Sequence, residues 1–374
     1  MAIATEHATE HAAESTAEPA RAPAKTAARP ARDPFFDNAK FLAIVLVVVF
    51  HAVEGLRDVP AVRAAYVFVY MFHMPVFIVL TGYLSQRFTF SPGRTRKLVT
   101  TLVVPYVIFE IGYSVYFWSR SGGKPLDISL LRSSYLMWFL MALFLWRLST
   151  PLWQQIRWPL GFAVGISLLS FMTELPPELT LQRTLGLLPF YVLGLMLRPE
   201  HFAPLKRPRA RVLGAVTLLV AFAGAATVGR DLPHKWVYWN HGHEALGLDN
   251  VSGTLMRAAM LVAAMVLVAA FLAVVPARRT WFTALGSATL YAYLLHGFGV
   301  QGLKALGVYD VEWLHTVPGA VVLAAGAAVA GTLLCSGPVV RATRWLVEPR
   351  IPWIFPPPSA GHGPAMRPRA GTEH

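Results

Sequence analysis

The segment from Lys40 to Glu54, KFLAIVLVVVFHAVE, sets a cation, ten apolar residues, a histidine and a glutamate in one row. A run such as FLAIVLVVVF requires a deep core or a lipid bilayer around it. A histidine and a carboxylate at its end are costly in lipid unless they face a protein interior or a wet cavity. Eleven residues separate Lys40 from His51, about 16 Å at 1.5 Å per residue, or half of a ~30 Å hydrocarbon core. The spacing therefore predicts His51 near mid-membrane, with Lys40 marking one face.

Composition agrees with a bilayer rather than a soluble core. Of 374 residues, 55% are hydrophobic and 14% charged, against about 25% charged in soluble domains. The formal charge of +13 is spread in short clusters between apolar runs, as the positive-inside rule places it, so no nucleic-acid partner is expected. The lone Cys335 excludes an intrachain disulfide. The first 33 residues, rich in Ala, Glu, Pro and Arg and without an apolar h-region, read as a disordered tail rather than a signal peptide.

Apolar runs recur at about 41–56, 64–86, 98–118, 131–146, 158–173, 184–197, 212–229, 258–275, 282–303 and 317–340. These predict an all-α, polytopic membrane helix bundle of about ten transmembrane helices, with 158–173 and 184–197 the weakest as full crossings. With the N-terminus inside and the crossings alternating, 23 of the 33 Lys and Arg fall on the inner side. Both termini are accordingly expected in the cytoplasm, with a proline-rich tail over 347–374. Ser91-Pro92 reads as a helix start beneath the basic cluster Arg94-Thr-Arg96-Lys97. Trp and Tyr gather near the ends of the runs, as an interfacial belt.

Three of twelve histidines lie inside spans, His51, His73 and His296, together with Glu54 and Glu110. Counting depth along each helix brings the histidines to the same level from three separate helices, as a buried polar site requires. His51 and Glu54, three apart, share a helix face. A neutral imidazole oriented by a carboxylate is a general-base arrangement. The bland alternative is that each histidine only hydrogen-bonds a neighbouring helix. Arg94, Arg96 and Lys97 at a helix start suit phosphates of a nucleotide-like cofactor, or simply pin the orientation. His241-Gly-His243 lacks the pattern of a metal site and is expected to be a solvated loop, so no metal is expected. No P-loop, dinucleotide fingerprint or G-x-S-x-G element is present.

At these residues the chain resembles the acyltransferase-3 family of integral-membrane acyltransferases, and within it the fucose 4-O-acetylase-like branch. The resemblance is carried by FFDNAKFLAIVLVVVFHA with its basic residue, ten residues and histidine. It continues through FHMPVFIVLTGYL (72–84), RTRKLVTTLVVPY (94–106), MWFLMALF (137–144), LPFYVLGLML (188–197) and SATLYAYLLHG (287–297). It implies an acyltransferase transmembrane domain over 34–346. The implied enzyme is a plasma-membrane O-acyltransferase that moves an acyl group, usually acetyl, from cytoplasmic acyl-CoA to a hydroxyl of a carbohydrate or related surface molecule. On that resemblance His51 is the essential histidine, Lys40 its basic partner, and Arg94 and Lys97 the paired basic residues that meet the CoA. From the residues themselves, Glu54 is expected to orient His51, Arg96 and Lys40 to join the positive entry for acyl-CoA, and His73 and His296 to line the same cavity, positioning the acceptor. The family more often has arginine at the positions of Lys40 and Lys97; lysine keeps the charge and loses the bidentate fork. The soluble second domain of some members is absent from this sequence. The rival expectation is a proton-coupled transporter or exporter using the same histidines as a relay.

Overall fold

The computed structural model describes residues 33–227, 229 and 232–355; residues 1–32 of the tail expected over 1–33 and residues 356–374 of the tail expected over 347–374 lie outside them. Among the described residues every regular element is helical. In chain order the main helices are α1 (Pro34–Ala52), α2 (Pro60–Tyr70), α3 (His73–Ser85), α4 (Pro92–Leu98), α5 (Val104–Ser119), α6 (Trp138–Trp153), α7 (Pro159–Ser170), α8 (Leu181–Gly186), α9 (Leu188–Met196), α10 (Pro199–Phe202), α11 (Pro208–Thr227), α12 (Asn250–Val274), α13 (Thr289–Ala305), α14 (Val317–Leu334) and α15 (Gly337–Val347).

All ten apolar runs fall on helices, but they differ in reach. Six spans are long and apolar enough to cross a bilayer: 34–56, 60–85, 92–119, 208–227, 250–274 and 317–334. A seventh is broken, with α8 and α9 meeting at a bend of 58°. The remaining runs give the shorter α6, α7 and α13. The chain is a multi-pass membrane protein.

Proline accounts for most of the breaks. Pro75 has no N–H for the Met71 carbonyl, and the helical course of the α2–α3 span is interrupted at Met71–Phe72. Pro105 would press on the Thr101 carbonyl; a π-helical turn over Val99–Val103 takes up the mismatch, so α4 and α5 continue as one span. Pro189 opens α9 at the 58° bend. At the end of α1 the chain tightens into a 3-10 turn, Val53–Leu56. The Tyr309 hydroxyl donates to the freed Ala52 carbonyl at 2.5 Å.

α1 lies at the centre, packed against α3, α13 and α14. Its residues Phe35, Ala39, Ala43, Ile44 and Val47 are buried. α11 and α14 lie at the periphery and turn Val212, Leu213, Val220, Val321, Val322 and Leu333 outward, an apolar surface suited to lipid. Asn38 fastens the α12–α13 connection to α1, donating to the carbonyls of Pro276 (2.8 Å) and Arg278 (2.9 Å). α3 and α9 approach each other closely through Gly82 and Gly194. A Cβ on Gly82 would stand 3.1 Å from the Gly194 Cα and collide with the Tyr191 carbonyl oxygen. Small residues are what let two backbones meet at this distance in a membrane.

At the Glu54 end of the bundle, His315 joins two connecting loops. Its Nδ1 lies 2.7 Å from Asp58 Oδ2 and its Nε2 2.8 Å from the Tyr309 carbonyl. Both partners only accept, so both ring nitrogens must carry hydrogen, and the ring is an imidazolium. The Tyr309 carbonyl, then the Asp58 carboxylate, raise the His315 pKa, while the hydrogen bond from His315 lowers that of Asp58.

Gly194→Leu is expected to destabilise the bundle by about 3 kcal/mol or more through overpacking, read as a fall in melting temperature in detergent. Unchanged melting would mean that α3 and α9 do not meet at this point. The His315 clasp has its own signature. A base whose pKa is raised on folding stabilises fully below its unfolded value and loses that contribution as pH rises through the folded one; the lowered Asp58 loses its own in acid. Hydrogen-exchange protection of residues 309–316, corrected for intrinsic rate, should therefore be greater at pH 6 than at pH 9. His315→Gln should abolish the difference, and equal protection at both pH values would refute the clasp.

Candidate active site

Three imidazoles sit on three helices and share one local device. Nδ1 of His51 lies 2.8 Å from the Val47 carbonyl, Nδ1 of His73 2.8 Å from that of Val69, and Nδ1 of His296 2.9 Å from that of Ala292. Each is an i to i−4 contact within the helical course. A carbonyl only accepts, so in the neutral ring Nδ1 carries the hydrogen and Nε2 keeps its lone pair. The backbone thus sets tautomer and ring direction together, without a carboxylate.

His51 opens onto a cavity of about 180 Å³ lined also by Glu54, Tyr66, Tyr70, His73, Tyr135, Trp138, Arg183, Tyr238, Trp239 and Tyr293. The His51 ring centroid is 6.0 Å from that of Tyr70, 6.0 Å from Tyr135 and 5.2 Å from His296. His73 meets Tyr70 edge-on at 4.6 Å. Aromatic faces with hydroxyl rims make an amphipathic wall, apolar in body and polar at the edge.

Two placements differ from expectation. Glu54 lines the cavity but does not orient His51, whose Nδ1 is held by Val47. The cause is the change from α to 3-10 winding at Val53, which takes Glu54 off the α-helical face of His51. Its carboxylate instead lies 3.7 Å from Arg57 Nη2, while Arg57 Nε donates to the Glu54 carbonyl and Nη1 to the Tyr238 hydroxyl. His296 touches His51 from behind and does not line this cavity; it lines an apolar groove with Val48, Ala52, Val300 and Ala327, and its Nε2 is buried without a partner. Glu110, also buried, accepts the Ser134 N–H at 2.9 Å and pins the α5–α6 connection.

Toward the Lys40 end a second, mostly apolar cavity of about 130 Å³ shares Val47, Met74 and Tyr293 with the first. Lys40 lines it, its Nζ held 2.9 Å from Asp37 Oδ1. Beyond Leu84, which it also shares, lies a basic surface pocket of about 180 Å³ lined by Arg87, Arg94, Lys97 and Arg147. Arg96 is not part of it. Positions 94 and 97 fall on one face of α4 and 96 on the other, where its guanidinium lies 4.8 Å from the Phe355 ring centroid. Arg87 and Arg147 went unassigned in the sequence because each reads there as a topogenic charge.

The outer wall of the His51 cavity comes from the loop after α11. Arg257 of α12 is fully buried beneath it, 4.1 Å from the ring of Phe171, 4.6 Å from Trp236 and 5.1 Å from Trp239. It donates to the carbonyls of Trp236 (2.7 Å) and His241 (3.3 Å). The loop is not the solvated one expected at His243, which is buried against Phe171 and Gly253. His241 pairs with Glu174 at 3.1 Å. Among the described residues no group of three His, Cys, Asp or Glu converges as a metal site.

Residues 33–337 match the family profile described as an acyltransferase domain. No characterised protein and no solved structure matches the chain.

Because Arg257 ties the loop that carries Tyr238 and Trp239, Arg257→Leu should leave two carbonyls unpartnered and cost on the order of 3 kcal/mol. Trypsin should then cut at Lys235 in folded protein, where the parent resists. Equal resistance in both would show that the loop is held by something else.

Proposed function

The chain belongs to the acyltransferase-3 family and is a multi-pass membrane acyltransferase, and on that premise we propose that it transfers an acyl group, acetyl in the simplest case, from cytoplasmic acyl-CoA to a hydroxyl of a carbohydrate or related surface or secreted molecule, with His51 as general base. The fucose 4-O-acetylase-like branch, the plasma membrane and cytoplasmic termini belong to the same proposal. The family match sets the transporter alternative aside.

The observation that carries this reading is the position of the His51 Nε2 lone pair. It belongs to a ring lining a cavity that adjoins, through shared walls, an apolar passage and then a cluster of four cations. That order of environments suits an acyl-CoA: phosphates at Arg87, Arg94, Lys97 and Arg147, the pantetheine arm along Leu84, Val47 and Met74, the thioester beside His51. Lys40 would face the arm rather than grip a phosphate, since Asp37 already holds its ammonium group. Arg96, on the opposite face of α4, is left out of the phosphate set.

In the proposed reaction the acceptor hydroxyl lies within hydrogen-bond reach of Nε2 and loses its proton to it as its oxygen bonds to the thioester carbon. Nδ1–H stays on Val47, whose carbonyl steadies the imidazolium formed. The tetrahedral intermediate collapses with cleavage of the C–S bond, the Nε2 proton passes to the departing thiolate, and ester and free thiol result. His73 lines the acceptor side with Tyr70. His296, behind the ring, acts through packing.

The test uses full-length protein in detergent with acetyl-CoA and a trial hydroxyl acceptor, reading thiol release and ester formation. His51→Ala should lower turnover by about 10²–10⁴-fold, the range for a general base, while the exposed His201→Gln should match the parent. A His51→Ala protein that transfers acetyl at the parental rate would sink the assignment.

A further inference from the structure

The His51 cavity contains a guanidinium with no anion of its own. Arg183, on α8, is anchored by one bond, from Nε to the Tyr238 carbonyl at 3.0 Å, and lies 4.9 Å from the Trp138 ring centroid. Its two terminal nitrogens make no hydrogen bond or ion pair to the described residues, and the side chain lines the cavity. The one carboxylate there, Glu54, is already engaged by Arg57, which also reaches the Tyr238 hydroxyl. A cation kept within a bundle at this depth is costly without a counter-charge. Contact with Trp138 offsets only part of that.

Position says which reactant would supply the missing charge. The proposed donor path reaches the cavity from the Lys40 end through Val47, Met74 and Tyr293. Arg183 is fixed to Tyr238, and Tyr238 bonds Arg57 and Tyr66 at the opposite, Glu54 end. Both free nitrogens of a planar fork suit two oxygens of one oxyanion. Resting on the transferase reading above, we propose that Arg183 is the recognition residue for the acceptor, and that the acceptor carries an oxyanion, a carboxylate or a phosphate, beside the hydroxyl that is acylated. Trp138, Trp239 and Tyr70 then offer faces to its apolar side, and the hydroxyl is left toward His51.

Binding without any donor tests this apart from catalysis. Full-length protein in detergent is titrated calorimetrically with methyl β-glucuronide (carboxylate), glucose 6-phosphate (phosphate) and neutral methyl β-glucoside. At least one anion should bind about tenfold or more tightly than the glucoside, the worth of a charge-assisted hydrogen-bond pair; which of them does so identifies the oxyanion. Arg183→Met should remove that preference while leaving glucoside affinity as it was, and Arg183→Lys should restore part of it. No preference in the parent, including no binding of either anion at tens of millimolar, overturns the proposal. So does a Met variant that loses anion and glucoside alike, which would mark Arg183 as structural. Should the Met variant not fold, the parental preference and the Lys variant decide. Anion preference without any His51-dependent thioester cleavage would leave Arg183 as an oxyanion site but remove the transferase reading and with it the acceptor role; cleavage without preference would keep the transferase reading and overturn this proposal.

Discussion

The hydrogen bond from His51 Nδ1 to the Val47 carbonyl is the constraint on which the rest of the site depends. An imidazole in oil needs a partner, and a carboxylate partner would bring a charge that must itself be neutralised. A carbonyl one turn back brings none. It satisfies one nitrogen, fixes the tautomer and leaves the other nitrogen its lone pair. His73 and His296 use the same solution, so three rings are held at mid-bundle without an ion pair among them.

Space for that cavity comes from imperfect helices. A bundle of straight spans around α1 would close on His51 with side chains from α3 and α9. The break before His73, the bend at Pro189 and the 3-10 turn after Ala52 instead turn Tyr70, Arg183 and Glu54 inward around one hollow. The close crossing at Gly82 and Gly194 holds α3 and α9 together below it, so the opening is local. On the other side the clamp of Arg257 on the aromatic loop holds the wall that carries Tyr238 and Trp239.

Much of this was legible in the sequence and some was not, for identifiable reasons. Run lengths and the charge deficit gave an all-helical membrane bundle, and the fixed rise of a helix brought His51 and His73 to one depth. Depth is one coordinate; rotation is another. Depth counting could not say that His296 faces the groove behind His51 rather than the cavity. The three-residue spacing of Glu54 assumed continued α winding, which stops at Val53. Arg183 looked unremarkable because its place depends on a bend whose angle no propensity supplies. Arg96 is different: a 100° rotation per residue already sets it opposite Arg94 and Lys97, so its separation was readable from the helix alone.

The cations that suit anionic groups of the two reactants stand toward opposite ends of the path, with His51 between them. Arg87, Arg94, Lys97 and Arg147 surround the basic pocket, Arg183 stands at the far side of the cavity, and His51 lies between them with its carbonyl. On the proposed reading each reactant brings negative charge to its own cations, the donor to the basic pocket and the acceptor to Arg183. Cations toward both ends let electrostatic attraction serve binding, while the base between them keeps its lone pair for the acceptor hydroxyl. Glu54 is tolerated in the lining because the Arg57 guanidinium beside it offsets its charge.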